Sequence, residues 1–334
     1  MEFLFFDWLG KPVWMWLGFH ALVAVLLAFD LGVLQKFMGN NSSGAMTVRE
    51  SLLLSLFYVS LGLAFGGWVW WAVSPQSGLE YLTGFVIEKS LSMDNVFVIA
   101  MIFGYFAIPR RSQYRVLFWG ILAVIVLRGL MIGVGAALVE NFGWVLYIFA
   151  AFLVFTGVKM LFASDEHYDV ENSAMYKFMR TRLRMTNSLE GEKFFVRKQH
   201  PETGKTLTYV TPLFVVLIMV NVADVIFAVD SVPAIFAITT DTFIVYTSNI
   251  FAILGLRALY FALAAMVDRF KYLKYALALV LVFIGGKIFV ADMLGLAKVP
   301  PSISLGVTFA ILAAGVAYSL YKTSRTGASA SPAK

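Results

Sequence analysis

The chain contains no cysteine. Structural disulfides and thiolate metal sites are therefore excluded, and cysteine usage leaves the redox compartment open. Histidine is nearly as scarce: His20, His167 and His200 are the three. Charge is thin as well, at 14% of 334 residues against 60% hydrophobic residues and a mean hydropathy of +0.82. Repeated apolar runs of 18–25 residues on that background exclude an ordinary soluble domain and fit a helical membrane bundle. The segment before the first run has no basic n-region and no small-residue cleavage motif, so no removable signal peptide is expected.

Nine spans are expected, at 13–34, 51–73, 79–106, 116–139, 143–162, 211–238, 243–267, 274–291 and 302–321. Trp14, Trp16, Trp68, Trp70, Trp71, Trp119 and Trp144 crowd their ends, as interfacial anchors do. With the N-terminus outside, the outer segments hold only Lys11 and Lys298. Lys89, Arg128, Lys159, Arg257 and Lys287 fall within spans, and the rest of the 26 basic residues lie inside. This asymmetry predicts an outer N-terminus and an inner, cytoplasmic C-terminus.

Ionised residues inside these spans are the informative part, because a carboxylate at bilayer depth costs roughly 2.5–3.5 kcal/mol on insertion scales. The stretch Gly84–Phe97 carries Glu88, Asp94 and Asn95; the stretch Asn221–Pro233 carries Asp224, Asp230 and Ser231 in the same places. Arg128 and Arg257 anchor a second match, and Phe155-Thr156-Gly157-Val158-Lys159 matches Phe283-Ile284-Gly285-Gly286-Lys287. Spans three to five thus correspond to spans six to eight. Three is odd, so the second copy crosses the membrane in the opposite sense. Inverted repeats with broken helices and a midplane site recur in secondary transporters.

The expected architecture is all-α, with two inverted three-helix repeats at 79–162 and 211–291. A two-helix segment at 1–78 precedes them. A cytoplasmic loop at 163–210, with a short helix and a hairpin, separates them. A last span within 292–325 and a disordered tail at 326–334 follow. A solvated connector accounts for the loop better than a metal-sensing flap around His167.

Glu88, Asp94, Asn95, Asn221, Asp224, Asp230 and Ser231 are the expected metal ligands. On an ideal helix, positions i and i+6 lie about 120° and about 9 Å apart, so one shared ion needs interrupted helices. Pro233 supplies an interruption in the second copy, and Gly84, Ser90 and Ser92 weaker ones in the first. An all-oxygen set suits Mn²⁺, Ca²⁺ or Mg²⁺ rather than Cu⁺ or Zn²⁺. Met93, more often a packing residue, tilts the choice towards Mn²⁺. Arg128 and Arg257 should each pair with a carboxylate, and with Lys89 they balance the acids. Lys159 and Lys287 gate or snorkel. Asp30 reads as interfacial, and Gly66-Gly67 and Gly133-Gly135 as close helix packing.

The two acidic motifs, with Arg128, Phe155–Lys159 and Arg257, resemble the TerC family of membrane proteins, and closely its Alx-like bacterial branch. The resemblance covers nearly the whole chain. It implies Mn²⁺ efflux, along with the family's association with tellurium-ion resistance and alkaline response, and makes Glu88, Asp94, Asp224 and Asp230 the ion pathway. Family members commonly carry Glu three residues before the first Asp of the second motif; Asn221 stands there, one negative charge fewer. Three functions follow in order: a divalent-cation exporter, possible proton coupling included; a membrane-protein assembly or insertion factor without transport; and, lowest, an intramembrane enzyme, since no nucleophile dyad, histidine or cofactor motif accompanies the acids. No enzyme activity, covalent cofactor or nucleic-acid partner is expected; the ion and the bilayer are the expected partners.

Overall fold

A computed structural model describes the chain except residues 1, 41–46, 163–169, 172, 187, 200–204, 264–271, 296–298 and 330–334. His167 and His200 fall outside the described residues. A 3-10 turn at Glu2–Phe5 and a ribbon of β1 (Asp7–Trp8) and β2 (Lys11–Pro12) precede helix α1, Val13–Asn40. Ten helices follow: α2 Val48–Ala72, α3 Pro75–Tyr105, α4 Arg110–Asn141, α5 Val145–Phe162, α6 Ala174–Arg182, α7 Pro212–Phe236, α8 Thr242–Leu254, α9 Leu256–Leu263, α10 Leu273–Met293 and α11 Pro301–Ser329. Strands β3 (Phe195–Gln199) and β4 (Thr206–Val210) pair antiparallel between α6 and α7, with Phe195 opposite Val210.

Local chemistry sets the ends. Thr47 and Glu50 form a reciprocal capping box on α2. Ser74 caps α3 ahead of Pro75, where the missing N–H costs nothing. Asp241 accepts from the Phe243 and Ile244 amides at the start of α8 and is held by Lys11 at 2.7 Å.

Among the described residues, seven helices are long and apolar enough to cross a membrane, and α8 with α9, bent by 40°, make an eighth. Helix α3 is 31 residues long and would reach across a bilayer. It misses the apolar criterion because it carries Glu80, Glu88, Lys89 and Asp94. Large apolar side chains such as Val126, Phe155 and Phe162 stay exposed on the bundle's outside, as lipid-facing positions require.

The bundle interior is built by α3 against α8, α4 against α7, and α5 against α10. The last pair is the tightest. A Cβ on Gly157 would stand 2.7 Å from the Ala278 carbonyl oxygen, and one on Gly285 would stand 2.5 Å from that of Ala150. Each helix thus offers its glycine to the other's backbone, in antiparallel register. Gly66 and Gly135 are also packed close, against Tyr81 and Phe236, whereas Gly67 and Gly133 meet no neighbour.

Three expectations are corrected. Helices α3 and α7 run unbroken through their acidic stretches. Pro233 lies in the last turn of α7, where one missing hydrogen bond is tolerated because the helix ends at Phe236. The break falls instead at Gly255, between α8 and α9. Thr326 to Ser329, expected to be disordered, continue α11.

The segment before α7 is tied to the bundle by charge. Glu192 lies 2.9 Å from Arg111 and 3.8 Å from Arg115, both on the first turns of α4. Lys198 hydrogen-bonds Glu190 and holds its carboxyl below the usual carboxylate range. Exposed pairs of this kind contribute at most about 1 kcal/mol. Glu192→Ala is therefore expected to speed tryptic cleavage of the hairpin while leaving the bundle's melting temperature within about a degree. A large drop in melting temperature would mean the segment is part of the bundle's stability.

Candidate functional site

Helices α3 and α7 meet antiparallel at their acidic stretches, with Asn95 beside Asp224 and Glu88 beside Ser231. The two contacts are one contact exchanged between the motifs, because Glu88 aligns with Asp224 and Asn95 with Ser231. Into this crossing α4 inserts Arg128, only 1% exposed. Its Nη1 donates to Glu88 Oε1, to Ser231 Oγ at 3.0 Å and to Asn249 Oδ1 at 2.5 Å. Nε and Nη2 donate to the two oxygens of Asp224, both at 3.2 Å, a fork-on-fork geometry that lysine could not reproduce. Asn95 Nδ2 donates to Asp224 Oδ1 at 3.2 Å.

One guanidinium between two carboxylates leaves a formal excess of one negative charge when both are ionised. Buried charge without a counter-charge costs several kcal/mol. Among the described residues the acceptors Glu88 Oε2 and Asn95 Oδ1 are buried without a hydrogen-bond partner, and so is the donor Asn249 Nδ2. A cavity of about 20 Å³ opens beside the cluster, lined by Asn95 and Asp224 with Gly120, Val124, Ala223 and Leu256 among its apolar walls. That is room for about one water molecule or one ion.

The other expected ligands lie elsewhere. Asp230, half-buried, turns from Arg128 towards Thr156 and Lys159 of α5. Asn221 Nδ2 donates back to the Leu217 carbonyl at 2.7 Å, and its Oδ1 is buried without a partner among the described residues. Asp94 lies on α3, but its side chain is outside the described residues. Among the described residues no three acidic or histidine side chains gather as a metal centre. Of the acids whose side chains are described, Glu88 and Asp224 meet at Arg128 and Asp230 does not join them. Unbroken helices keep residues six apart on different faces, so Asp224 and Asp230 look in different directions.

The basic residues divide likewise. Arg257 meets the buried Asp30 of α1, through both its carboxylate and, at 3.4 Å, its carbonyl. Asp30 is thus an interior ion-pair partner rather than an interfacial residue, because α9 brings an arginine to it. Lys89 donates to the Ala252 carbonyl at 3.0 Å, and Lys287 to Ser304 Oγ at 3.2 Å. Asn249, fully buried on the guanidinium, is absent from the sequence-derived set. Its signal was the polar run Thr247-Ser248-Asn249 inside an otherwise apolar segment.

Residues 73–327 match the family described as integral membrane protein TerC family. The chain belongs to the TerC family. Its relatives include the "Putative membrane-bound redox modulator Alx" of Escherichia coli (strain K12), 49% identical over 311 residues that cover 91% of this chain and 92% of the relative. The protein of the same name from Shigella flexneri is 49% identical over 91% of this chain and 93% of its own. An "Uncharacterized membrane protein" of Rickettsia bellii is 48% identical over 90% and 95%. No solved structure matches.

Proposed function

We propose that this TerC-family protein is a secondary transporter, not an enzyme, exporting a divalent cation, Mn²⁺ foremost, across the bacterial cytoplasmic membrane. The observation that carries this reading is the buried Glu88–Arg128–Asp224 cluster, one positive charge short, with unpartnered oxygens and a one-ion cavity beside it. A metal ion or a proton can each supply the missing charge. A site satisfied by either in turn has the chemistry needed for exchange. The oxygens that Asp224 and Asn95 could turn to an ion, carboxylate and carboxamide, are of the type that suits Mn²⁺, with Ca²⁺ and Mg²⁺ as competitors.

The reciprocal contacts of Glu88 with Ser231 and Asp224 with Asn95, and of Gly157 and Gly285, support inverted repeats around this cluster. The bias of Lys and Arg towards one side supports an outer N-terminus. Asp230, turned towards Thr156 and Lys159, acts as a flanking station beside the cluster. Redox modulation, if carried over from the relatives' name, does not run through thiol–disulfide exchange on this chain, which has no thiol. An assembly factor would tolerate neutral residues at the cluster.

In cells lacking their own exporter, Glu88→Gln and Asp224→Asn are expected to abolish protection against excess Mn²⁺, and Asp230→Asn to weaken it. Cellular Mn²⁺ measured by mass spectrometry should rise in the same order. Parental Mn²⁺ levels in both cluster variants would overturn the proposal. Uptake into proteoliposomes with Mn²⁺, Ca²⁺ and Mg²⁺ at two pH values checks the ion and the counter-ion.

A further inference from the structure

The sequence puts Lys89 among the charges that balance the acids, but its amine is elsewhere. It reaches from α3 to the C-terminal end of α8, where it donates to the Ala252 carbonyl at 3.0 Å. Ala252 lies three residues before the break at Gly255, among the last carbonyls of α8, which have no following turn to serve them. A cation is favoured there by the negative end of the helix dipole. The space is tailored to the amine. A Cβ on Gly255 would stand 2.9 Å from Tyr58 Cβ and 3.0 Å from Lys89 Nζ.

The break separates two buried charge clusters. On its α8 side Asn249 holds Arg128; on its α9 side Arg257 meets Asp30.

We propose that Lys89 is a positioning residue, whose ammonium caps the end of α8 and sets the 40° bend that holds Asn249 on Arg128 and Arg257 on Asp30. The link to ion movement rests on the transport reading above; the structural role does not. Lys89 stabilises the bend from α3, the helix that also carries Glu88. A shift of α3 against α8 therefore moves the acid and loosens the bend together.

The test is hydrogen–deuterium exchange on the full-length protein in detergent micelles, followed by mass spectrometry of segment 250–260, with segment 278–290 of α10 as reference. Lys89→Met removes the cap, and Gly255→Ala displaces it with Lys89 still present. Each is expected to speed exchange in 250–260 by about tenfold, the loss of one charge-assisted hydrogen bond, with 278–290 unchanged. In proteoliposomes the same variants should lower Mn²⁺ turnover more than they raise its KM. Parental exchange in 250–260 for Lys89→Met overturns the proposal, and a raised KM beside it would return Lys89 to the ion site. If the parent carries no Mn²⁺, the transport reading fails while the exchange result still decides the role of Lys89.

Discussion

Arg128→Met is expected to cost about 3–5 kcal/mol of stability, the usual penalty for leaving one side of a buried ion pair alone. The residue is buried and serves Glu88, Asp224, Ser231 and Asn249 together. Thermal unfolding in micelles should show the loss as a drop in melting temperature of several degrees. Arg128→Lys should recover only part of it, because an ammonium cannot donate to both oxygens of Asp224 while also reaching Glu88. The triple variant Glu88→Gln, Arg128→Met, Asp224→Asn removes every charge at the cluster. It should return most of the stability and still carry no Mn²⁺, which separates the structural cost of the arginine from the function of the acids. A melting temperature for Arg128→Met within a degree or two of the parent would mean that the cluster is wet and that its charges are screened.

Gly285→Val is expected to be strongly destabilising. The first added carbon already falls 2.5 Å from the Ala150 carbonyl oxygen, 3.0 Å from Val154 Cγ2 and 3.1 Å from Leu153 Cβ. A backbone carbonyl cannot step aside, so α5 and α10 must separate. Overpacking of this kind typically costs about 1–3 kcal/mol, and the two further methyls of valine place it at or above the upper end. Gly157→Val should behave the same way, since its Cβ would meet the Ala278 carbonyl at 2.7 Å. Gly286→Ala, one residue along with nothing within 4 Å, should be neutral or slightly stabilising. Size-exclusion profiles of fluorescent fusions would rank the three. If Gly285→Val and Gly286→Ala elute alike, the close crossing of α5 and α10 is wrong.

Much of the bundle was legible because the apolar runs are long and their interruptions few. Eight of the nine expected stretches each fall on one helix, and the described part of the ninth, 243–267, is split between α8 and α9. Of these stretches the one on α3, 79–106, carries the most charge, Glu80, Glu88, Lys89 and Asp94, and through Glu88 it contributes to the cluster. An arginine at mid-span was expected to pair with a carboxylate, and Arg128 does; that Glu88 and Asp224 share it was not legible. Asn249 was passed over because its polar run, Thr247-Ser248-Asn249, holds no ionisable residue. Asp30 was misread because it lies near the end of its span, and nothing local shows that α9 delivers Arg257 to it.

By itself the amino-acid order determined which segments are helical, that they belong in a membrane, and which ionisable residues are too costly to sit there idle. These follow from composition and from the price of burying charge, and both are local. Tertiary structure alone decided which charges meet. With α3 and α7 unbroken, residues six apart point to different faces, so Asp224 joined Arg128 while Asp230 turned to α5. It also decided that the bend belongs to α8 and α9 at Gly255 rather than to the acidic helices, because Tyr58 and Lys89 crowd that glycine.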